Sequence, residues 1–160
     1  MRKSIVTLLL SVACISCSPP SGEAGKLENA LLAIPVGSSV RFEDLSQFAG
    51  RTICMVQPYQ DSLALRDPLA DQVNEYLADQ GFGANEAYFA FVLVGDNEFD
   101  VVKLPRSDKL DILALHQASK LSRGTLPQGF VPRKCVTGPD AAIAKIEFMG
   151  RAYIRLGRMQ

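Results

Sequence analysis

Few side chains in this 160-residue chain have a type and spacing that could do chemistry. There is one histidine, His116. A general base of that kind must meet a nucleophile and an orienting carboxylate, and nothing near it in sequence supplies either. One histidine, two cysteines outside the leader, Cys54 and Cys135, that are expected to pair with each other, and no clustered run of carboxylates fall short of a zinc or calcium ligand set, so neither a metal nor a cofactor is expected. Glycine patterns that cradle phosphates or open a nucleophile elbow are absent. Two short groups remain. Arg106-Ser107-Asp108 joins a cation, a hydroxyl and a carboxylate, although a strand end, a helix cap and a first-turn acid account for the same three residues. Tyr59 follows Pro58 at the end of an apolar run, a place where ligand sites gather in α/β sheets. A tyrosine closing the edge of the core is the plainer explanation.

The four cysteines divide between a leader and a body. Arg2 and Lys3 precede the apolar run Ile5–Ile15, which has signal-peptide length and is shorter than the roughly 20 residues of a membrane-spanning helix. Export is the expectation. The stretch that follows, ISCSPPSGEAG, resembles the lipobox of bacterial lipoproteins. That resemblance implies that Cys17, after Ile15 and Ser16, becomes the first mature residue and carries the lipid. Ser18 then implies the outer membrane, facing the periplasm. Cys14 stands where the family usually has Leu, and is itself a rival acceptor behind Val12-Ala13. An ordinary secretory signal with incidental cysteines is the third possibility. Processing at Cys17 leaves two thiols, Cys54 and Cys135, whereas processing at Cys14 leaves an odd number in an oxidising compartment. Parity and export together predict a Cys54–Cys135 disulfide.

The elements that would position these residues read as follows. Ser18–Gly25 is a tether by composition. Leu27, Leu31 and Ile34 permit a short helix before Pro35, Val40–Phe42 a short strand, and Glu43–Phe48 a helical turn. Arg51–Pro58 reads as an interior strand ended by Pro58. Asp67 as N-cap, Pro68 at the first helical position and Asp71 in the first turn open a helix whose apolar face is Leu69, Val73, Tyr76 and Leu77, stopped at Gly81. Ala87–Val94 and Phe99–Leu104, joined by Gly95-Asp96-Asn97-Glu98, form a hairpin apolar on both faces. Ser107 caps a second helix over Asp108–Leu121. Cys135 starts another segment, and Gly138-Pro139-Asp140 is a turn. In the last stretch Ala144, Ile146 and Phe148 alternate, as do Ala152, Ile154 and Leu156, and pairing those sets in phase requires the three-residue loop Met149-Gly150-Arg151.

A strand ending in Pro58-Tyr59, an apolar hairpin and then Pro105-Arg106-Ser107 is similar to a group of small, uncharacterised bacterial lipoproteins, over about Val40–Asp108. Where that group carries Trp-Asp before the first strand, this chain has Gly50-Arg51. The resemblance implies architecture and no mechanism.

Charge is balanced overall but not along the chain. Residues 21–100 hold 13 acidic and 4 basic side chains, and residues 101–160 hold 4 acidic and 11 basic. The expected outward side of the final hairpin gathers Lys145, Tyr153 and Arg155, with Arg151 in the loop. Those four residues form a candidate docking face for an acidic envelope protein, a lipid headgroup or a glycan. A solvated surface that pairs with the acidic half is the plainer account. Nucleic acid is not an expected partner of an exported protein.

The expected fold class is α+β: a mainly antiparallel sheet of about five strands with two helices and one disulfide. Residues 1–16 are the lipoprotein signal peptide, 17–36 the lipidated Cys17 and its tether, and 37–158 a single domain. The expected function is a non-catalytic, membrane-anchored envelope lipoprotein that binds a partner, of assembly-accessory, inhibitor or immunity type. The alternative is a small periplasmic hydrolase using His116 or Tyr59.

Overall fold

Apolar periodicity divides the chain into strands that need cover on both faces and helices that supply it. In a computed structural model, residues 22–64, 68–83, 85–96, 98–113 and 125–160 are described. Their order is α1 (Glu23–Ala33), β1 (Ser38–Arg41), a 3₁₀ turn (Phe42–Asp44), β2 (Thr52–Val56), α2 (Pro68–Asp79), β3 (Tyr88–Val94), β4 (Phe99–Pro105), β5 (Asp111–Ile112), β6 (Phe130–Pro132), β7 (Cys135–Val136), β8 (Ala141–Phe148) and β9 (Arg151–Met159). The class is α+β, with two helices among the described residues. Its strands are split between two sheets. One runs β4-β3-β2-β7, and the other runs β1-β8-β9-β5 with β6 also on β9. All pairings are antiparallel except β5 with β9. None of the described helices is long and apolar enough to cross a membrane.

The sheets pack face to face. Ile53, Met55, Phe89, Phe91, Leu93 and Leu104 from the first meet Ile112, Ile143, Ile154 and Leu156 from the second, with Leu27, Leu31 and Ile34 of the α1 segment in the same cluster. The outer face of the first sheet (Cys54, Val56, Ala90, Val92) is covered by Ala70, Val73 and Leu77 of α2. Runs buried on both alternating sets, such as β3, are the consequence. Gly81, at φ 59°, ends α2, where Phe82 N–H donates to the Leu77 carbonyl at 2.9 Å. The Cys54–Cys135 disulfide joins directly opposed residues of β2 and β7, 81 positions apart in sequence.

Three expectations change. The tether gives way to structure by Glu23, because α1 buries Gly25, Leu27 and Leu31, so the packed domain begins before residue 37. The helix expected from Asp108 does not start there. Ser107 Oγ does accept from Leu110 N–H at 3.1 Å as a cap would, but Ser107 N–H donates back to the Leu110 carbonyl at 2.9 Å. That closes a turn, and the chain re-enters a sheet as β5. The remainder of that expected helix, with His116, lies outside the described residues, as do the leader, Cys14, Cys17 and Asp67. Finally, Phe148 pairs with Arg151 across a two-residue loop, not three. Met149 (φ 51°) and Gly150 (φ 75°) are both left-handed, as a type I′ turn requires. A one-residue change of register sends each side chain of one strand to the opposite side relative to its expected partner.

Candidate functional site

The shifted register dismantles the expected docking face. Lys145 now pairs with Ile154, and Arg155 with Ala144, so the two cations point to opposite sides of the sheet. Lys145 is 4% exposed and turned toward α1. Its ammonium donates to the carbonyls of Leu31 at 3.2 Å and Leu32 at 2.9 Å, the last turn of that helix. The turn has no basic residue of its own, so Lys145 supplies from β8 the cation that a helix C-terminus favours. No carboxylate lies within ion-pair range of it among the described residues. Burial pushes its pKa down. Tyr153 is buried against Leu113 and Ile146. Arg155 donates to the Leu113 carbonyl at 3.1 Å, and burial lowers its pKa as well.

Arg151 belongs to a separate corner, centred on Asp111, which is 1% exposed. Arg106, just past the end of β4, grips both Asp111 oxygens, Nε to Oδ1 at 2.7 Å and Nη2 to Oδ2 at 3.0 Å. Arg151 Nη2 donates to Oδ2 at 3.1 Å, and Ile112 N–H to Oδ1 at 2.8 Å. Arg151 Nη1 also reaches Asp108 at 3.3 Å. The hydrogen bond to Asp111 raises the pKa of Arg106 against the opposing effect of burial. Four donors fill this carboxylate, so it has no oxygen left to accept a substrate proton. Arg106 and Asp108, singled out in the sequence, hold the chain together here. The buried Asp111 was not singled out, because a helical assignment made it one more polar face residue.

Tyr59 does not close the core edge. It is 70% exposed at φ 63°, and its hydroxyl donates to Glu86 Oε2 at 2.9 Å. That hydrogen bond, foremost, raises its pKa, with smaller upward effects from burial and the Glu86 charge and a downward one from Arg106. Glu86 links the pair to the Asp111 corner, since Arg106 Nη1 donates to its carbonyl at 2.9 Å.

Between the end of α1, the Asp108-Lys109 segment and the β8–β9 turn lies an open cleft of about 540 Å³. Leu32, Ile34, Val36 and Ala152 give it an aliphatic wall, and Lys109, Lys145 and Arg151 line it beside Asp108 and Glu147. Val36 is half exposed, and Met149, on the adjoining turn, is 84% exposed. A smaller cavity of about 280 Å³ beside Phe42, Phe48 and Pro139 has only Glu43 and Arg51 as charged lining. Arg51 is already paired with Asp100 at 2.7 Å. No group of three or more potential metal ligands occurs among the described residues. The larger cleft is the candidate site. Its aliphatic wall falls in the stretch taken for a tether, and Lys145 was placed outside by the misassigned turn. An X-Gly pair between two alternating runs was the available signal.

Among the described residues no ion pair joins the basic half to the acidic half. Neither a protein family, nor a curated protein, nor a solved structure matches this chain.

Proposed function

We propose that this protein is a non-catalytic, lipid-anchored lipoprotein of the bacterial envelope whose domain is a binding module. One contrast carries the binding part of this reading. The single buried carboxylate among the described residues is saturated, while the single buried ammonium borders an open cleft with one aliphatic wall and a charged remainder. An apolar wall beside charged groups that can fix orientation is a combination that binding sites use. The anchor rests on the leader: the basic start, the short apolar run and Cys17 ahead of a Ser/Pro/Gly segment.

Anchor and cleft fit one geometry. Five residues separate Cys17 from Glu23, a span of about 20 Å at full extension. The 11 residues of α1 add about 16 Å of rigid helix. The cleft lies at the C-terminal end of that helix, the end farther along the chain from Cys17. The partner is an anionic envelope component.

Metabolic labelling with an alkyne fatty acid tests the anchor: Cys17→Ala abolishes incorporation and Cys14→Ala leaves it. Equal labelling of the Cys17→Ala chain refutes it. Photo-crosslinkers at positions 36 and 149 in intact cells test the module. One recurrent envelope adduct is expected from both, and none from a crosslinker at position 72 on α2.

A further inference from the structure

We propose that the cleft beside α1 binds a small unbranched aliphatic carboxylate, its head group on Lys145 and Arg151 and its chain along Leu32, Ile34 and Val36. This deepens the binding-module reading, on which it rests, and is independent of the lipid anchor. Two hydrogen-bond donors lead to it. Lys145 has three N–H bonds and two acceptors among the described residues, the carbonyls of Leu31 and Leu32. Arg151 Nε is buried with no acceptor there, although its Nη atoms serve Asp108, Asp111 and the Ser107 carbonyl. Both residues line the same cleft. A buried donor without an acceptor costs about 1–3 kcal/mol. Arg151 Nε is the one such side-chain atom among the described residues. Beside it Lys145 has one N–H beyond its two carbonyl partners, so an acceptor group at this cavity serves both residues.

The charge of that group follows from its neighbours. Lys109, Lys145 and Arg151 line the cleft together with Asp108 and Glu147, a surplus of one positive charge. A monoanion balances it. A phosphate monoester, near two negative charges at neutral pH, overshoots it, and an amine is repelled. The apolar part follows from the wall, which is aliphatic and contains no aromatic ring on which a sugar or a base would stack. A volume of about 540 Å³ lies in the range of small-molecule sites. The exposed side chains of Val36 and Met149 lengthen the apolar surface at the mouth.

Titration calorimetry on the purified full chain, with octanoate, decanoate, 1-decanol and decyl phosphate, tests this. Decanoate binds with one-to-one stoichiometry and more tightly than octanoate, by about fourfold for each further methylene buried. Decanol and decyl phosphate bind at least about tenfold more weakly than decanoate. Val36→Asp, a change at a half-exposed position, weakens decanoate at least about tenfold without moving the thermal unfolding midpoint. Lys145→Gln removes the preference for decanoate over decanol. If that variant does not fold, Val36→Asp and the head-group comparison decide alone. Equal binding of decanol and decanoate, indifference to Val36→Asp, or no binding at millimolar decanoate overturns the proposal. Such a failure with the envelope adducts at positions 36 and 149 retained leaves the binding module standing. Loss of both brings down the module as well.

Discussion

The two sheets share one core, yet their outward sides are secured by different means. Behind the β4-β3-β2-β7 sheet the cover is mainly apolar and covalent, with α2 seated on Val56, Ala90 and Val92 and a disulfide across β2 and β7. Polar ties such as Asn74 to the Leu63 backbone lie at its margin. At one end of the β1-β8-β9-β5 sheet the fastening is polar. Asp111 is clamped by two guanidinium groups, and Lys145 is hooked on the carbonyls of α1. Apolar contact and a covalent bond leave no donor unused. Polar fastening is directional, so a donor that finds no acceptor in the fold remains available to something else. The comparison places the unused donor at the second sheet and the covalent tie at the first.

Breaking the covalent fastening has the largest expected effect. Replacing both Cys54 and Cys135 by Ala lowers stability by about 4.5 kcal/mol in the chain-entropy account for an 81-residue separation. A fall in the thermal midpoint of roughly 10–15 °C is the readout. Breaking the polar corner comes next. Asp111→Asn leaves two arginines without their shared counter-charge and costs about 3 kcal/mol, read as a lower urea midpoint at unchanged slope. If Asp111→Asn costs more than the cysteine pair, the ranking of the two sheets is reversed.

Lys145→Met has a smaller effect and sharpens the contrast between the buried charges. The ammonium has no counter-ion, so an apolar side chain of similar length changes stability by no more than about 1 kcal/mol at pH 7. Its pH dependence is diagnostic. Burial lowers the pKa of Lys145 in the folded chain, so between that value and the unfolded one, about 10.4, the unfolded chain holds more protons. This residue's contribution to stability therefore rises with pH through that window, and Lys145→Met flattens the rise. A slope unchanged in the variant assigns the titration to another group. Last, Met149→Asn, at a left-handed position 84% exposed, stabilises the β8–β9 turn by about 0.5 kcal/mol, measurable by chemical unfolding.

Legibility followed the same division. Unbroken β-branched and aromatic runs identify β2 and β3, Pro68 and Asp71 mark the opening turn of α2, and cysteine parity predicts the bridge that is seen. Those signals are local or arithmetic. The second sheet depends on where a two-residue turn sits and on which side a lysine emerges. Alternation alone fits either register once the loop length is misjudged. Ser107 has the chemistry of a helix cap, yet the demand of Arg106 and Arg151 for one carboxylate draws Asp111 into a strand. Tertiary pairing decided that segment against local preference. The spacing of Leu27, Leu31 and Ile34 does signal α1, which ends before Pro35; what composition hides is that this helix packs into the domain and is not part of a tether. The candidate cleft is built from these three misread places, which is why it could not be assembled from spacing.

The position of β9 governs the order in which the molecule can be completed. That last strand is flanked by β8, β5 and β6, while every strand of the other sheet has been supplied by Val136. All strand partners of the disulfide-bearing sheet thus precede residue 137, while its inner face is covered only once β8 and β9 are in place. The cleft, whose wall includes Arg151 and Ala152, comes into being only with the arrival of those residues. Closure of the cleft is thereby a late event in the folding of this chain.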